Sequence, residues 1–208
     1  MSTVSNTARN TVIIDSGGAN LASLRFALER LNAPATVTTS PREVQNAERV
    51  ILPGVGSAAD AMKRLHASGL AEVLPTLKQP VLGICLGMQL LFKHSEEGAV
   101  DCLGIIPDTV RKLKAEPGRP VPHMGWNTLI SLRDDPLLQN VADTDYVYFV
   151  HSYAAPVSDI TLARTDYGAQ VSAVVRRGNF WGTQFHPERS AKTGSRILAN
   201  FLRLNRCC

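Results

Sequence analysis

The chain has 208 residues, 44% hydrophobic and 19% charged, which suits one domain with a sizeable core and excludes global disorder. Its 22 Lys and Arg against 18 Asp and Glu leave a scattered net charge of +4 without a basic run, so nucleic acid is not an expected partner. No apolar run reaches membrane-spanning length, residues 1–10 read as a loose polar leader, and Cys85, Cys102, Cys207 and Cys208 show neither zinc nor disulfide spacing; a cytoplasmic chain with reduced thiols and no membrane contact is expected.

The first elements alternate. TVIID (11–15) is a β-branched run ending at a Gly-Gly turn, and so a strand. From Asn20 onward Leu21, Leu24, Leu28 and Leu31 recur at helical spacing. ATVTT (35–39) is a second strand, after which Ser40-Pro41 opens a short helix. VILPG (50–54) is a third strand, and Ser57 with Asp60 resembles a capping box for a helix reaching about His66. VLGI (81–84) is a fourth, followed by a helix from Leu86. After Gly104 the pattern changes to short strands at 109–114, 127–132, 146–151, 160–165, 170–175 and 180–185, with Arg177-Gly178-Asn179 as a hairpin connection. An amphipathic helix carrying Ile197, Leu198, Phe201 and Leu202 comes last, and 205–208 reads as a functionless tail. The predicted fold class is α/β: a single domain over 11–204 with a mixed, mostly parallel central sheet flanked by helices and with added antiparallel strands in the second half.

Gly83-Ile84-Cys85-Leu86-Gly87 has the form of a nucleophile elbow, in which a strand turns abruptly into a helix with the nucleophile at the tip. Glycines two residues away remove side chains that would clash, the helix N-terminus favours thiolate, and Leu86 offers a backbone N–H beside the thiol. By itself the motif fits a buried strand cysteine with packing glycines equally well. His186, just after an apolar strand, has Pro187 and Glu188 behind it; on an extended segment residues 186 and 188 point the same way, so the carboxylate can orient the imidazole. Cys102 lacks the glycine frame and reads as core. Gly54-Val55-Gly56, at the carboxyl edge of the third strand, lies where ligands bind in open parallel sheets.

Gly-x-Cys-x-Gly-Met-Gln at 83–89 with His-Pro-Glu at 186–188 resembles the class I, triad-type glutamine amidotransferases. Pro-Gly-Val-Gly at 53–56, Ser-Glu-Glu-Gly at 95–98, Pro-His-Met-Gly-Trp-Asn at 122–127, Phe-Val-His-Ser-Tyr at 149–153 and Gln-Phe-His-Pro-Glu-Arg-Ser at 184–190 narrow the resemblance to the glutaminase subunits of imidazole glycerol phosphate synthase, over about residues 11–204. The resemblance implies Cys85 as nucleophile on the glutamine amide, His186 as acid and base, and Glu188 as its orienting group. It implies an oxyanion hole from the N–H of Leu86 and one from Gly54, Val55 or Gly56. Glutamine contacts would come from Gln89, from His151 and Ser152, and from one of Glu96 and Glu97, with Glu97 preferred. No metal or organic cofactor is implied. The ammonia would pass to a (β/α)8-barrel cyclase partner, with Asn20, Met124 and Trp126 near the interface. By residue type a Met and a Trp so close together read as core, but Gly125 and Asn127, awkward within a strand, favour a docking loop. His66, His94 and His123 are left as surface or packing residues. Two alternatives share the nucleophile and His-x-Glu motifs: a glutaminase for guanylate, anthranilate or pyridoxal phosphate synthesis, and a catalytically silent binding module on the same fold.

Overall fold

The computed structural model describes residues 10–17 and 21–205. The expected leader, apart from Asn10, most of the tail including the Cys207-Cys208 pair, and Asn20 with its interface expectation lie outside the described residues. The first half runs β1 (Thr11–Ile14), α1 (Leu21–Arg30), β2 (Ala35–Thr38), α2 (Pro41–Asn46), β3 (Arg49–Gly54), α3 (Ala58–Ala67), the one-turn α4 (Leu70–Val73), β4 (Val81–Cys85) and α5 (Leu86–Gln89). The helix starts follow the side chains read from the sequence. Ser40 Oγ accepts from Glu43 N–H at 3.4 Å, and Ser57 Oγ accepts from Asp60 N–H at 3.2 Å while donating to the Asp60 carboxylate at 2.8 Å.

The second half runs β5 (Phe92–Ser95), β6 (Val100–Asp101), β7 (Ile106–Lys112), β8 (His123–Thr128), β9 (Tyr146–His151), β10 (Tyr153–Ala154), β11 (Thr161–Tyr167), β12 (Ala169–Arg177), β13 (Phe180–Thr183) and α6 (Ala191–Arg203). The central sheet has the order β11-β12-β13-β4-β3-β1-β2, parallel from β13 to β2 and antiparallel at β11 and β12. This is the expected α/β class. Successive residues of the buried strands feed opposite faces. Ile13, Ile51 and Leu82 pack with Leu24 and Leu28 of α1 and Ile197 and Phe201 of α6. Val12, Val50 and Val81 pack with Met62 and Leu65 of α3. Full burial of one such side chain stabilises by about 1.5–3 kcal/mol, so both helical layers are held by the central strands. No helix among the described residues is long and apolar enough to cross a membrane.

Three expectations need correction. The helix from Leu86 is a single turn, so its dipole is too small to carry the thiolate argument. The strand expected at 127–132 ends at Thr128, and the expected docking loop is itself strand β8, paired residue for residue with β9. Gly125 sits in that strand at φ +138°, and the Asn127 amide donates to the Asp166 carbonyl at 2.9 Å, so both apparent strand breakers are accommodated. Finally, β10, β7, β5 and β6 form a separate four-stranded sheet, of which the sequence suggested β7 alone.

Candidate active site

Cys85 ends β4 with φ 53° and ψ −111°, a sparsely populated conformation for a residue with a Cβ. The flanking glycines allow it for two different reasons. A Cβ on Gly83 would lie 2.6 Å from the Gly87 carbonyl oxygen, across the turn. A Cβ on Gly87 would lie 1.7 Å from the Leu52 carbonyl oxygen, on the neighbouring strand β3. The elbow is therefore wedged against β3, whose last residue, Gly54, pairs with Cys85 itself.

His186 follows β13, the strand on the other side of β4. Its Nδ1 lies 2.7 Å from Glu188 Oε1 and its ring hydrogen-bonds the Cys85 thiol. The route to the carboxylate differs from the extended segment inferred above: Pro187–Arg189 is a 3-10 turn, and the turn brings Glu188 back under the imidazole. Burial opposes a charge on His186, but the hydrogen bonds and negative charges of Cys85 and Glu188 outweigh it and raise the imidazole to about 10. The two neighbours thus favour a proton on His186, which suits it to take the one from Cys85. Cys102 differs: burial first, then Asp101 and Glu97, push its thiol up to about 12, which leaves it unreactive.

A cleft of about 350 Å³ opens over the thiol at the carboxyl ends of the parallel strands. It is lined by Gly54, Val55 and Gly56, by Cys85, Leu86 and Gln89, and by Glu97, His151, Ser152 and His186. These sequence-predicted residues therefore converge on one space. Glu97 accepts from the Ala58 N–H at 2.9 Å, at the start of α3, and burial raises its carboxyl despite that bond. Glu96 instead accepts from the Lys112 N–H at 2.8 Å and is not among the lining residues. Met124 and Trp126 stand apart from the cleft at 64% and 52% exposure, so neither is core.

Three further residues belong to this site and were not singled out in the sequence. Gln184 is fully buried; its Oε1 accepts from Gln89 Nε2 at 3.0 Å, which turns its own Nε2 toward Cys85 Sγ, 3.9 Å away. Ser190 Oγ donates to the His186 carbonyl at 2.7 Å and accepts from the Tyr148 N–H at 2.9 Å, tying the His186 turn to β9. His123 is buried against His151, unlike His66 and His94, which pair with Glu72 and Asp101 near the surface. All three positions lay inside quoted motifs, but what His123 contacts shows only in the pairing of β8 with β9.

Burial holds His151 neutral, lowering it to about 3, and His123 to about 4. A lowered imidazole contributes stability that is present above the unfolded value of 6.5 and is lost as pH falls toward the folded value. His186, raised, behaves oppositely: its contribution is full below 6.5 and is lost as pH climbs through about 10. Acidification from neutrality to about pH 5 should therefore remove about 2 kcal/mol through His151 alone. Urea unfolding at pH 7.5 and pH 5 measures the sum of this loss, a like one from His123 and an opposing gain of about 1 kcal/mol from His186, and an unchanged midpoint would mean that the two buried rings do not fold neutral.

The class-I glutamine amidotransferase model matches residues 12–204. The chain is 56% identical over 193 residues to the imidazole glycerol phosphate synthase subunit HisH of Xanthomonas campestris pv. campestris (strain 8004), covering 93% of this chain and 96% of the relative. It is 54% identical over 193 residues to the protein of the same name from Xylella fastidiosa (strain Temecula1 / ATCC 700964), with the same coverage. In fold it is similar to PurLQS from Thermotoga maritima, with a TM-score of 0.69 over 93% of this chain and 98% of that one, at 19% identity. The elbow cysteine, its histidine and the cleft thus sit in a chain that belongs to the class-I glutamine amidotransferase family and, within it, to the family of the imidazole glycerol phosphate synthase subunit HisH.

Proposed function

We propose that this chain is the glutaminase subunit of an imidazole glycerol phosphate synthase, with residues 11–204 as its catalytic domain, working in the cytoplasm in histidine biosynthesis. The observation that carries the reading is the strained Cys85 at the elbow with His186 beside it, the imidazole backed by Glu188 at 2.7 Å. Cys85 gives its proton to His186, and the resulting thiolate attacks the side-chain amide carbon of L-glutamine. The Leu86 N–H and one from Gly54-Val55-Gly56 receive the oxyanion. His186 gives its proton to the departing amine, ammonia leaves, and a thioester remains on Cys85. His186, now neutral, takes a proton from water; the hydroxide adds to the thioester, and glutamate leaves as the thiolate is restored. Glu188 keeps the imidazole oriented throughout. Gln89, Glu97, His151 and Ser152 contact the glutamine.

Ammonia passes to a (β/α)8-barrel cyclase, which makes imidazole glycerol phosphate and aminoimidazole carboxamide ribotide. The HisH names of the relatives support that partner, and so does the exposed Met124 and Trp126 face of β8. Mixing the chain with the cyclase and its nucleotide tests the reading: glutamine should drive synthesis in the mixture and in neither protein alone. In the same assay Trp126→Ala should weaken assembly by ~2 kcal/mol, about 30-fold in Kd, without lowering the melting temperature of the free subunit. A core-like fall in that temperature would overturn the docking role.

A further inference from the structure

Strand β8 has two faces. Met124 and Trp126 point to solvent, while His123 and Asn127 point inward. His123 lies directly opposite His151 of β9, and the two rings are joined, His123 Nδ1 to His151 Nε2, at 3.0 Å. The direction of every bond in this chain follows from its far end. His151 Nδ1 lies 2.8 Å from the Tyr153 carbonyl oxygen, which can only accept, so the proton is on Nδ1. His151 Nε2 is then the acceptor, because burial keeps that ring neutral, and His123 must donate from its own Nδ1. His123 Nε2 is left bare, facing the Asn127 amide nitrogen at 3.4 Å. The His123 ring is stacked between Phe149 and Tyr167, at centroid distances of 4.7 and 3.9 Å, so it has little freedom to turn.

The Tyr153 carbonyl at the end of this chain also accepts from Gln89 Nε2 at 2.7 Å. Two donors, one from His151 and one from Gln89, thus fix the carbonyl that follows Ser152 in the cleft wall. We propose that His123 is a positioning residue for the glutamine substrate: through His151 it holds the Tyr153 carbonyl, and with it Gln89 and the Ser152–Tyr153 wall, in the binding arrangement. The inference rests on the reading of the cleft as a glutamine site. His123 does not touch the thiol, so its effect falls on glutamine binding more than on bond breaking. Loss of its N–H leaves the buried His151 nitrogen unpaired, a defect that corresponds to about a tenfold rise in KM.

Two variants separate this from a packing role. His123→Phe keeps a stacked ring and removes the donor. His123→Asn removes the ring and keeps an amide N–H near the Nδ1 position. In the enzyme assembled with its cyclase, His123→Phe should raise the KM for glutamine about tenfold and lower kcat less, and His123→Asn should recover most of the loss. A KM at the unmodified value in His123→Phe, or a larger defect in His123→Asn than in His123→Phe, overturns the proposal. The unmodified protein provides a second measurement that needs no variant to fold. Nitrogen NMR of chain labelled at histidine should find both His123 and His151 protonated at Nδ1 and bare at Nε2, the minor tautomer of free histidine. An Nε2–H form at either residue overturns the chain of bonds. If the unmodified enzyme releases no glutamate, the glutamine reading fails instead, and the tautomers still decide the geometry.

Discussion

Cys85→Ser should lower glutamine-dependent synthesis by the assembled enzyme by roughly 10,000-fold or more, while ammonia supplied as its salt still supports synthesis by the partner. The hydroxyl is a far weaker nucleophile at neutral pH and gives up its proton to His186 far less readily, although Glu188 still supports the imidazole. Serine nearly matches cysteine in size and tolerates the same backbone, so φ 53° at position 85 and the wedge of Gly87 against Leu52 remain. The melting temperature should therefore change little, which isolates the sulfur as the cause. Cys102→Ala should leave turnover largely intact, since that thiol sits outside the cleft and burial raises it to about 12. Glutamine-dependent turnover retained in Cys85→Ser would eliminate the nucleophile assignment.

The parts of this fold that were legible are those whose signal is local. The β-branched runs at Thr11–Ile14 and Val81–Cys85 are buried on both faces, and Ser40 and Ser57 cap the helices they precede. The four-stranded sheet was not legible because β5, β6 and β10 span four, two and two residues and carry polar side chains such as His94 and Asp101. Their order comes from long-range pairing, as with Tyr153 and Lys112. The cleft divides in the same way. Cys85 and His186 announce themselves through glycine and proline neighbours with a local steric purpose. His123 and Gln184 act on residues 28 and 95 positions away, His151 and Gln89, so although both lay inside quoted motifs, nothing local gives their contacts. Strand β8 was misjudged for a related reason: Gly125 and Asn127 disfavour a strand locally, but the Asn127 amide has partners on His123 and Asp166 that exist only after β8 has paired.

Glutamate release by the lone chain should be slow and should rise roughly 100- to 1000-fold when the cyclase and its nucleotide are added, the range expected when one oxyanion donor is gained. On the proposed oxyanion hole, the Leu86 N–H is fixed by the elbow, and the adjustable donor would come from Gly54-Val55-Gly56. Gly54 is a poor place to test this, because a Cβ there would lie 2.7 Å from Gly87 N and 2.8 Å from Leu86 Cβ and would disturb the elbow itself. Gly56 is the clean position: its φ is +93°, and an added Cβ meets nothing within 4 Å. A valine there has room but is strained by about 1–3 kcal/mol in that backbone region, so it disfavours whichever loop state needs the positive φ. If the resting state needs it, basal turnover rises; if the activated state needs it, full turnover falls. In either case Gly56→Val should shrink the ratio of activated to basal turnover by about tenfold, with a smaller change in apparent glutamine affinity. The measurement is glutamate release by the chain alone, with the cyclase, and with the cyclase plus nucleotide, for both proteins. Full activity in the lone unmodified chain, or an unchanged ratio in Gly56→Val, would show that the oxyanion loop is not the element the partner moves.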